Sequence, residues 1–248
     1  MLKRPEKKLD RRRTLRKSVI TVYPALRATK RQRAGSSDSC EGRTKANEGF
    51  VGDKSKGNRR RVTLWTVGHS TRSLDDFIAL LQAHGIRRLV DVRTIPRSRH
   101  NPQFNKDQLP ESVKQARIQY VHMPSLGGLR HACRDSVNGA WRNASFRGYA
   151  DYMQTAEFEV ALKELIRLAR SRRTAIMCAE AVPWRCHRSL IADAVLVRGL
   201  EVEEITSETA TRPHTLTPWA CVVGKHITYP LVPSSSVESR SKSAHTSD

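Results

Sequence analysis

The sequence predicts an α/β fold: a single three-layer domain with a mostly parallel sheet, flanked by disordered N- and C-terminal tails. Three observations lead there. β-rich and amphipathic helical runs alternate through the middle of the chain, as in sheets built from strand–helix–strand units. Helix-starting and helix-stopping residues, such as Ser73 and Gly85, bracket those helical runs. Charge is also segregated: Lys and Arg number 20 in residues 1–61 against 6 acidic residues, a net of +14 out of +21 for the 248-residue chain.

The first strand is read in VTLWTV, Val62 to Val67, a β-rich run that stops at Gly68-His69-Ser70. A helix follows at once. Ser73 is a favourable N-cap, Asp75 and Asp76 sit in the positive first turn, Leu74, Phe77, Ile78 and Leu81 form an apolar stripe, and Gly85 ends it. RRLVDVR supplies the second strand, around Leu89-Val90. Residues 96–110, rich in Pro, Asn and Arg, read as a loop, and a short helix over roughly 108–116 leads into the third strand, IQYVHM. Residues 130–147 have no clear period and are expected to cross the surface. The spacing then predicts one long amphipathic helix from Tyr149 to Arg170. TAIMCA reads as a buried strand, SLIADAVLVRG as a helix ended by Gly199, and VEEITSE as a last strand. This layout sets His69, Asp91 with Arg93, Gly127-Gly128 and the Cys178–Ser189 segment each at the trailing end of a strand, the edge where open α/β sheets bind ligands.

Composition bounds the rest. Residues 1–61 carry few aromatics and no sustained hydrophobic period, so they are read as a basic, disordered arm, with Ser18 to Leu26 as a transient strand. Such a leader leaves an organellar transit peptide or a misplaced start open, although Glu6 and Asp10 argue against the former. Residues 230–248 read as a Ser-rich tail, and 62–229 as the folded core, with 23 basic and 16 acidic residues. No run is long and apolar enough to span a bilayer, so no membrane partner is expected. Five cysteines without regular spacing suit a reducing, cytoplasmic setting better than a disulfide scaffold.

Five segments, TVGHSTRSLDDFIALL, LVDVRTIPRSRHNPQFN, YVHMPSLGG, FRGYADYM and MCAEAVPWRCHRSLIADAVLVRG, together resemble the DUF488 family of prokaryotic proteins. The resemblance covers about residues 62–205 and includes neither tail. It implies an α/β domain with its signature residues at the strand ends, and it implies no established reaction.

The chemistry concentrates in IMCAEAVPWRCHRSL, Ile176 to Leu190. Cys178 ends a strand, while Arg188 and Ser189 open a helix whose free N–H groups favour an anion, a field that lowers a thiol's pKa. Phosphatases and sulfurtransferases attack through cysteine at such a turn. Their loops read Cys-x5-Arg, whereas Cys178 to Arg185 is Cys-x6-Arg and Cys178 to Arg188 is Cys-x9-Arg. Glu180 opposes thiolate formation unless it serves as general acid or pairs with an arginine. The competing reading of Cys178 is an inert, buried strand cysteine. Cys186 could join Cys178 in a reversible disulfide, or Cys178, Cys186 and His187 could hold a metal with His69 or His122 as the fourth ligand.

Arg185 and Arg188 near a helix N-terminus call for a bound anion or for carboxylates such as Glu180 or Asp91. His69 is read as a general base or metal ligand, Asp91 as its orienting or acidic partner, and Arg93 as an anion clamp. The alternative is a helix-entry turn at His69 and an internal Asp91–Arg93 ion pair on one strand face. Arg97, Arg99 and His100 extend a basic loop. Gly127 and Gly128 offer backbone freedom or a close ligand approach, and Tyr149 and Tyr152 read as core. Neither the phosphate-loop nor the dinucleotide-binding glycine pattern occurs.

The expectation from these residues is a cytoplasmic enzyme acting on an anionic, phosphate-bearing substrate. Cys178, Glu180, His69 and Asp91 are its candidate catalytic groups, and Arg93, Arg185, Arg188, Ser189, Gly127 and Gly128 its substrate-binding groups. One alternative is a nucleic-acid-binding protein using the basic arm. Another is a metal-binding or structural module. The sequence specifies no cofactor and no oligomeric state.

Overall fold

A computed structural model describes residues 62–231. The expectations for the basic arm, including the strand at Ser18 to Leu26, and for residues 232–248 lie outside the described residues. Strands β1 (Thr63–Gly68), β2 (Arg88–Asp91), β3 (Gln119–His122), β4 (Thr174–Cys178) and β5 (Glu201–Ile205) form a parallel sheet. A short antiparallel strand, β6 (Thr211–Pro213), closes one edge, giving the order β3-β2-β4-β1-β5-β6. The α/β class and the mostly parallel sheet are therefore as the sequence predicts.

Helices α1 (Leu74–Ala83) and α2 (Leu109–Gln115) cover one face, and α3 (Ala144–Tyr152), α4 (Ala156–Ser171) and α5 (Arg188–Leu196) cover the other. Alternation along the strands makes both faces apolar. In β4, Ile176 packs towards α4 and α5 while Ala175 and Met177 pack towards α1. No described helix is long and apolar enough to cross a membrane.

The chain leaves β1 through α1 towards β2 and leaves β4 through α5 towards β5, on opposite faces and in opposite directions. β1 and β4 are neighbours whose connections leave to opposite faces, each passing the other's strand, and a crevice opens between their carboxyl ends. Register fixes what meets there. Gly68 pairs with Cys178, and Asp91 stands opposite Met177 on one side and His122 on the other.

Local signals account for most boundaries. The Ser73 hydroxyl accepts the Asp76 N–H at 3.1 Å, and Gly85 and Gly199 adopt positive φ (62° and 79°) beyond α1 and α5. The long helix expected over 149–170 is instead two. α3 begins earlier, where the Asn143 side chain accepts the Ser145 N–H, and the chain breaks at 153–155, where the Thr155 hydroxyl accepts the Phe158 N–H and starts α4. A cap inside an apolar period overrides the period, because it satisfies donors that continued helix would leave to other carbonyls.

Beyond β5 lies structure with no sequence expectation: β6, and the hairpin of β7 (Cys221–Val223) and β8 (His226–Thr228). It is tied down by a buried polar cluster. Asp193 on α5 accepts from His214 Nε2 (2.9 Å), Thr217 N (3.1 Å), Thr217 Oγ1 (2.7 Å) and the buried Tyr229 hydroxyl (2.8 Å). His214 Nδ1 donates to Glu204 at 3.1 Å. Burial opposes charging His214, but the two carboxylates outweigh it and raise its pKa from 6.5 to about 9.

A folded-state pKa above the unfolded one stabilises fully below pH 6.5 and is lost as pH rises through about 9. Resistance to urea is therefore expected to fall across that window by about 3 kcal/mol, and the same titration of His214→Gln should lose most of the slope. An unchanged slope in the variant would place the pH dependence elsewhere.

Candidate active site

The carboxyl edge of the sheet opens into a cavity of about 610 Å³. Its walls come from the turn after β1 (His69 to Thr71), the segment after β2 (Arg93 to Ile95, with Arg97, Ser98 and Asn101), Gly128 and Leu129, the start of α3, and the loop from Cys178 to His187. Two backbone bonds zip the turns after β1 and β4 together: His69 N–H to the Cys178 carbonyl (3.0 Å) and Ser70 N–H to that of Ala179 (2.9 Å). A Cβ on Gly68 would lie 2.0 Å from the Glu180 carbonyl oxygen, so only glycine admits this approach. Ser70 takes the left-handed conformation (φ 53°), which turns the chain away into α1.

Cys178, Cys186 and His187 come together on this edge, their ligating atoms all within 4.8 Å of one another. Both cysteines are free thiols. The proximity of the two thiols depresses the Cys186 thiol well below the usual thiol range and pushes Cys178 up. The pair therefore gives up one proton easily and keeps the second. Cys186 directly precedes the His187 cap of α5, and it is the thiol whose ionisation the surroundings favour. His187 Nε2 lies 3.2 Å from the Val92 carbonyl and donates there, which leaves Nδ1 facing Cys186 Sγ at 3.7 Å, in place to share a proton with it. The ring is gripped on its other side: a Cβ on Gly128 would fall 2.5 Å from Nδ1. The Gly127 position is as close, 2.2 Å to Thr94 Oγ1, and neither glycine has positive φ. The two glycines thus serve close packing of Thr94 and His187.

Behind the thiols lies Arg188, only 1% exposed. Its guanidinium donates to Thr66 Oγ1 (3.0 Å) and to the Glu180 carbonyl (2.6 Å), and its Nε has no partner among the described residues. No described carboxylate forms an ion pair with it. A buried cation without a carboxylate needs another counter-charge, and its field is one of the causes that lower the Cys186 pKa.

The next layer holds His69, Asp91 and Arg93. Arg93 grips Asp91 in a two-pronged pair, Nε to Oδ1 at 2.9 Å and Nη2 to Oδ2 at 2.6 Å, and donates to the Phe104 carbonyl at 2.7 Å. Asp91 is fully buried and also accepts the Tyr120 hydroxyl at 2.7 Å. His69 donates from Nδ1 to the Ser70 carbonyl (2.8 Å) and accepts from Arg93 at Nε2 (3.3 Å), its ring stacked on Phe104 at 4.1 Å. Burial, reinforced by Arg93, lowers its pKa to about 4, so the ring is neutral at physiological pH.

Of the residues singled out in the sequence, Cys178, Glu180, His69, Arg93, Arg185 and Gly128 line the cavity, joined by Cys186 and His187. Asp91 and Arg188 lie beneath the surface, and Ser189 donates its hydroxyl to the Cys186 carbonyl at 3.0 Å. Glu180 and Arg185 are exposed on the rim. The sequence reading missed Thr94, Ser98, Asn101 and Phe146 in the walls, and Thr66, Phe104 and Tyr120 as supports. Thr66, a polar residue on the buried face of an otherwise apolar strand, was the one legible signal among them. His122, considered as a metal ligand, points to the Arg93 carbonyl instead (2.9 Å).

Fold and site together define an α/β domain with a thiol–imidazole–guanidinium cleft at the carboxyl edge of a parallel sheet. Residues 73–195 match, and belong to, the family described as domain of unknown function DUF488. No curated protein and no solved structure matches the chain.

Proposed function

We propose that the protein is an enzyme that uses the Cys178–Cys186 pair as a nucleophile towards an anionic, phosphate-bearing substrate. The observation that carries this reading is the buried Arg188 guanidinium, which has no carboxylate counter-ion among the described residues and acts to lower the pKa of the neighbouring thiols Cys178 and Cys186. A thiolate neutralises it. Attack is assigned to Cys186, the thiol whose ionisation its surroundings favour. Cys178, prominent in the sequence as the strand-end cysteine, is its neighbour. Sulfur bonds to phosphorus as the ester oxygen leaves with a proton from Glu180, and water then breaks the S–P bond, passing its proton to His187. Arg185 and Arg97 line the cavity opposite a single acid, Glu180, which favours a negatively charged occupant. His69 and Asp91 act by fixing Arg93.

The test uses small alkylating agents and the purified full chain. Cys186 should react faster with iodoacetate than with neutral iodoacetamide, inorganic phosphate should protect it, and Arg185→Ala should remove the preference. Reaction that favours iodoacetamide and ignores phosphate would sink the anion site.

The clustering of Cys178, Cys186 and His187 favours zinc as a second reading, with the Val92 carbonyl orienting the imidazole. Charge argues against it. A dication would neutralise two thiolates and leave Arg188 without a counter-charge. Elemental analysis decides: stoichiometric zinc in the purified protein would replace the covalent reading.

A further inference from the structure

We propose that a second cavity beside the cleft is a nucleobase subsite, so that the anion taken by the cleft is the phosphate of a nucleotide; the phosphate half of this rests on the reading above. The cavity, about 540 Å³, is lined by Trp141, Trp184 and Trp219, three of the chain's four tryptophans, with Arg212 among its polar residues. That volume suits a small planar ligand. Trp184 and Trp219 are 62% and 44% exposed.

The polar groups decide which ligand fits. Carboxylates are the strongest acceptors for sugar hydroxyls, yet Glu204 on the cavity wall is taken by Arg212 and His214, and Asp193 by His214, Thr217 and Tyr229. What remains is the exposed Trp184 and Trp219 rings, the Arg212 guanidinium 5.2 Å over the Trp184 ring with an edge open to solvent, and the Thr215 hydroxyl. Aromatic faces with cationic and N–H donors suit a base, which offers a π-face and ring acceptors.

Placement ties this cavity to the cleft. Trp184 and Arg185 are consecutive in the short turn Pro183–Arg185, and Trp184 lines the tryptophan cavity while Arg185 lines the thiol cleft. Their Cα atoms are about 3.8 Å apart. One turn of chain therefore separates a stacking surface from an anion site, the arrangement of base and phosphate within one nucleotide.

The experiment is a tryptophan-fluorescence titration of the full chain with the four common nucleoside 5′-monophosphates, ribose 5-phosphate, inorganic phosphate, maltohexaose and a short single-stranded oligonucleotide. At least one nucleotide should bind about tenfold or more tightly than ribose 5-phosphate. Trp184→Ala should erase that advantage and leave ribose 5-phosphate unchanged, Trp184→Phe should restore most of it, and Arg185→Ala should weaken both ligands. Tighter binding of the oligonucleotide than of any monomer identifies the nucleotide as part of a strand, and equal or weaker binding identifies it as free.

The base subsite is overturned, with the anion cleft intact, if ribose 5-phosphate binds as well as every nucleotide or if Trp184→Ala changes nothing. Trp184-dependent binding of maltohexaose would overturn it in favour of a sugar. If neither ribose 5-phosphate nor inorganic phosphate binds and phosphate fails to protect Cys186, both proposals fall.

Discussion

Titrated by the ultraviolet absorbance of its thiolates, the protein is expected to hold one ionised cysteine at neutral pH, and Cys186→Ser is expected to remove it. The second thiol should resist ionisation well beyond the ordinary value of about 8.5, because the first charge already occupies the site. Cys178→Ser keeps a hydroxyl donor beside Cys186, so its thiolate should persist. Arg188→Met removes the buried positive charge and should return Cys186 towards the ordinary thiol range, lowering its alkylation rate at neutral pH by about tenfold or more. Circular dichroism of the methionine variant separates this effect from misfolding. A Cys186 that stays ionised without Arg188 would dismiss the guanidinium as a cause of the depressed pKa and leave Cys178 and His187 to account for it.

The second large effect concerns stability. Asp91→Ala is expected to cost about 3–5 kcal/mol in urea unfolding, because it strands the buried Arg93 guanidinium without its two-pronged partner. It also frees the Tyr120 hydroxyl and loosens His69, which leans on Arg93. Asp91→Asn keeps the shape and should cost less. The double change Asp91→Leu with Arg93→Met, which removes both charges, should recover much of the loss. If the single and double variants unfold at the same urea concentration, the pair is not what holds this corner.

Much of this architecture was legible because local chemistry and tertiary packing agree. Ser73, Gly85 and Gly199 mark helix ends in the sequence and do so in the structure. Thr155 carries the same kind of signal, but it sits inside an apolar period, and the period was the stronger pattern. β6, β7 and β8 are three residues each and largely exposed. Strands that short have no periodicity to read; they are held by distant partners such as Asp193 and Glu204.

At the site, the sequence marked the segments that converge, since each ends a strand. It could not divide the arginines. Arg93, Arg185 and Arg188 look alike on paper, yet one is locked to a carboxylate, one stands on the rim, and one is buried against carbonyl and hydroxyl oxygens. That division depends on depth, which no spacing encodes. The same holds for His69, whose two nitrogens are both engaged.

The insertion of β4 between β2 and β1 sets an order of events during synthesis. β1, β2 and β3 emerge first, and the ribosome delivers β4 only after α3 and α4. Until that strand slides into its slot, Gly68 has no Cys178 to face and the two halves of the cleft belong to separate stretches of chain. Non-local parallel pairing of this kind is slow. The paired thiols Cys178 and Cys186 therefore meet the turn at Gly68 and His69 only once β4 has taken its place between β2 and β1.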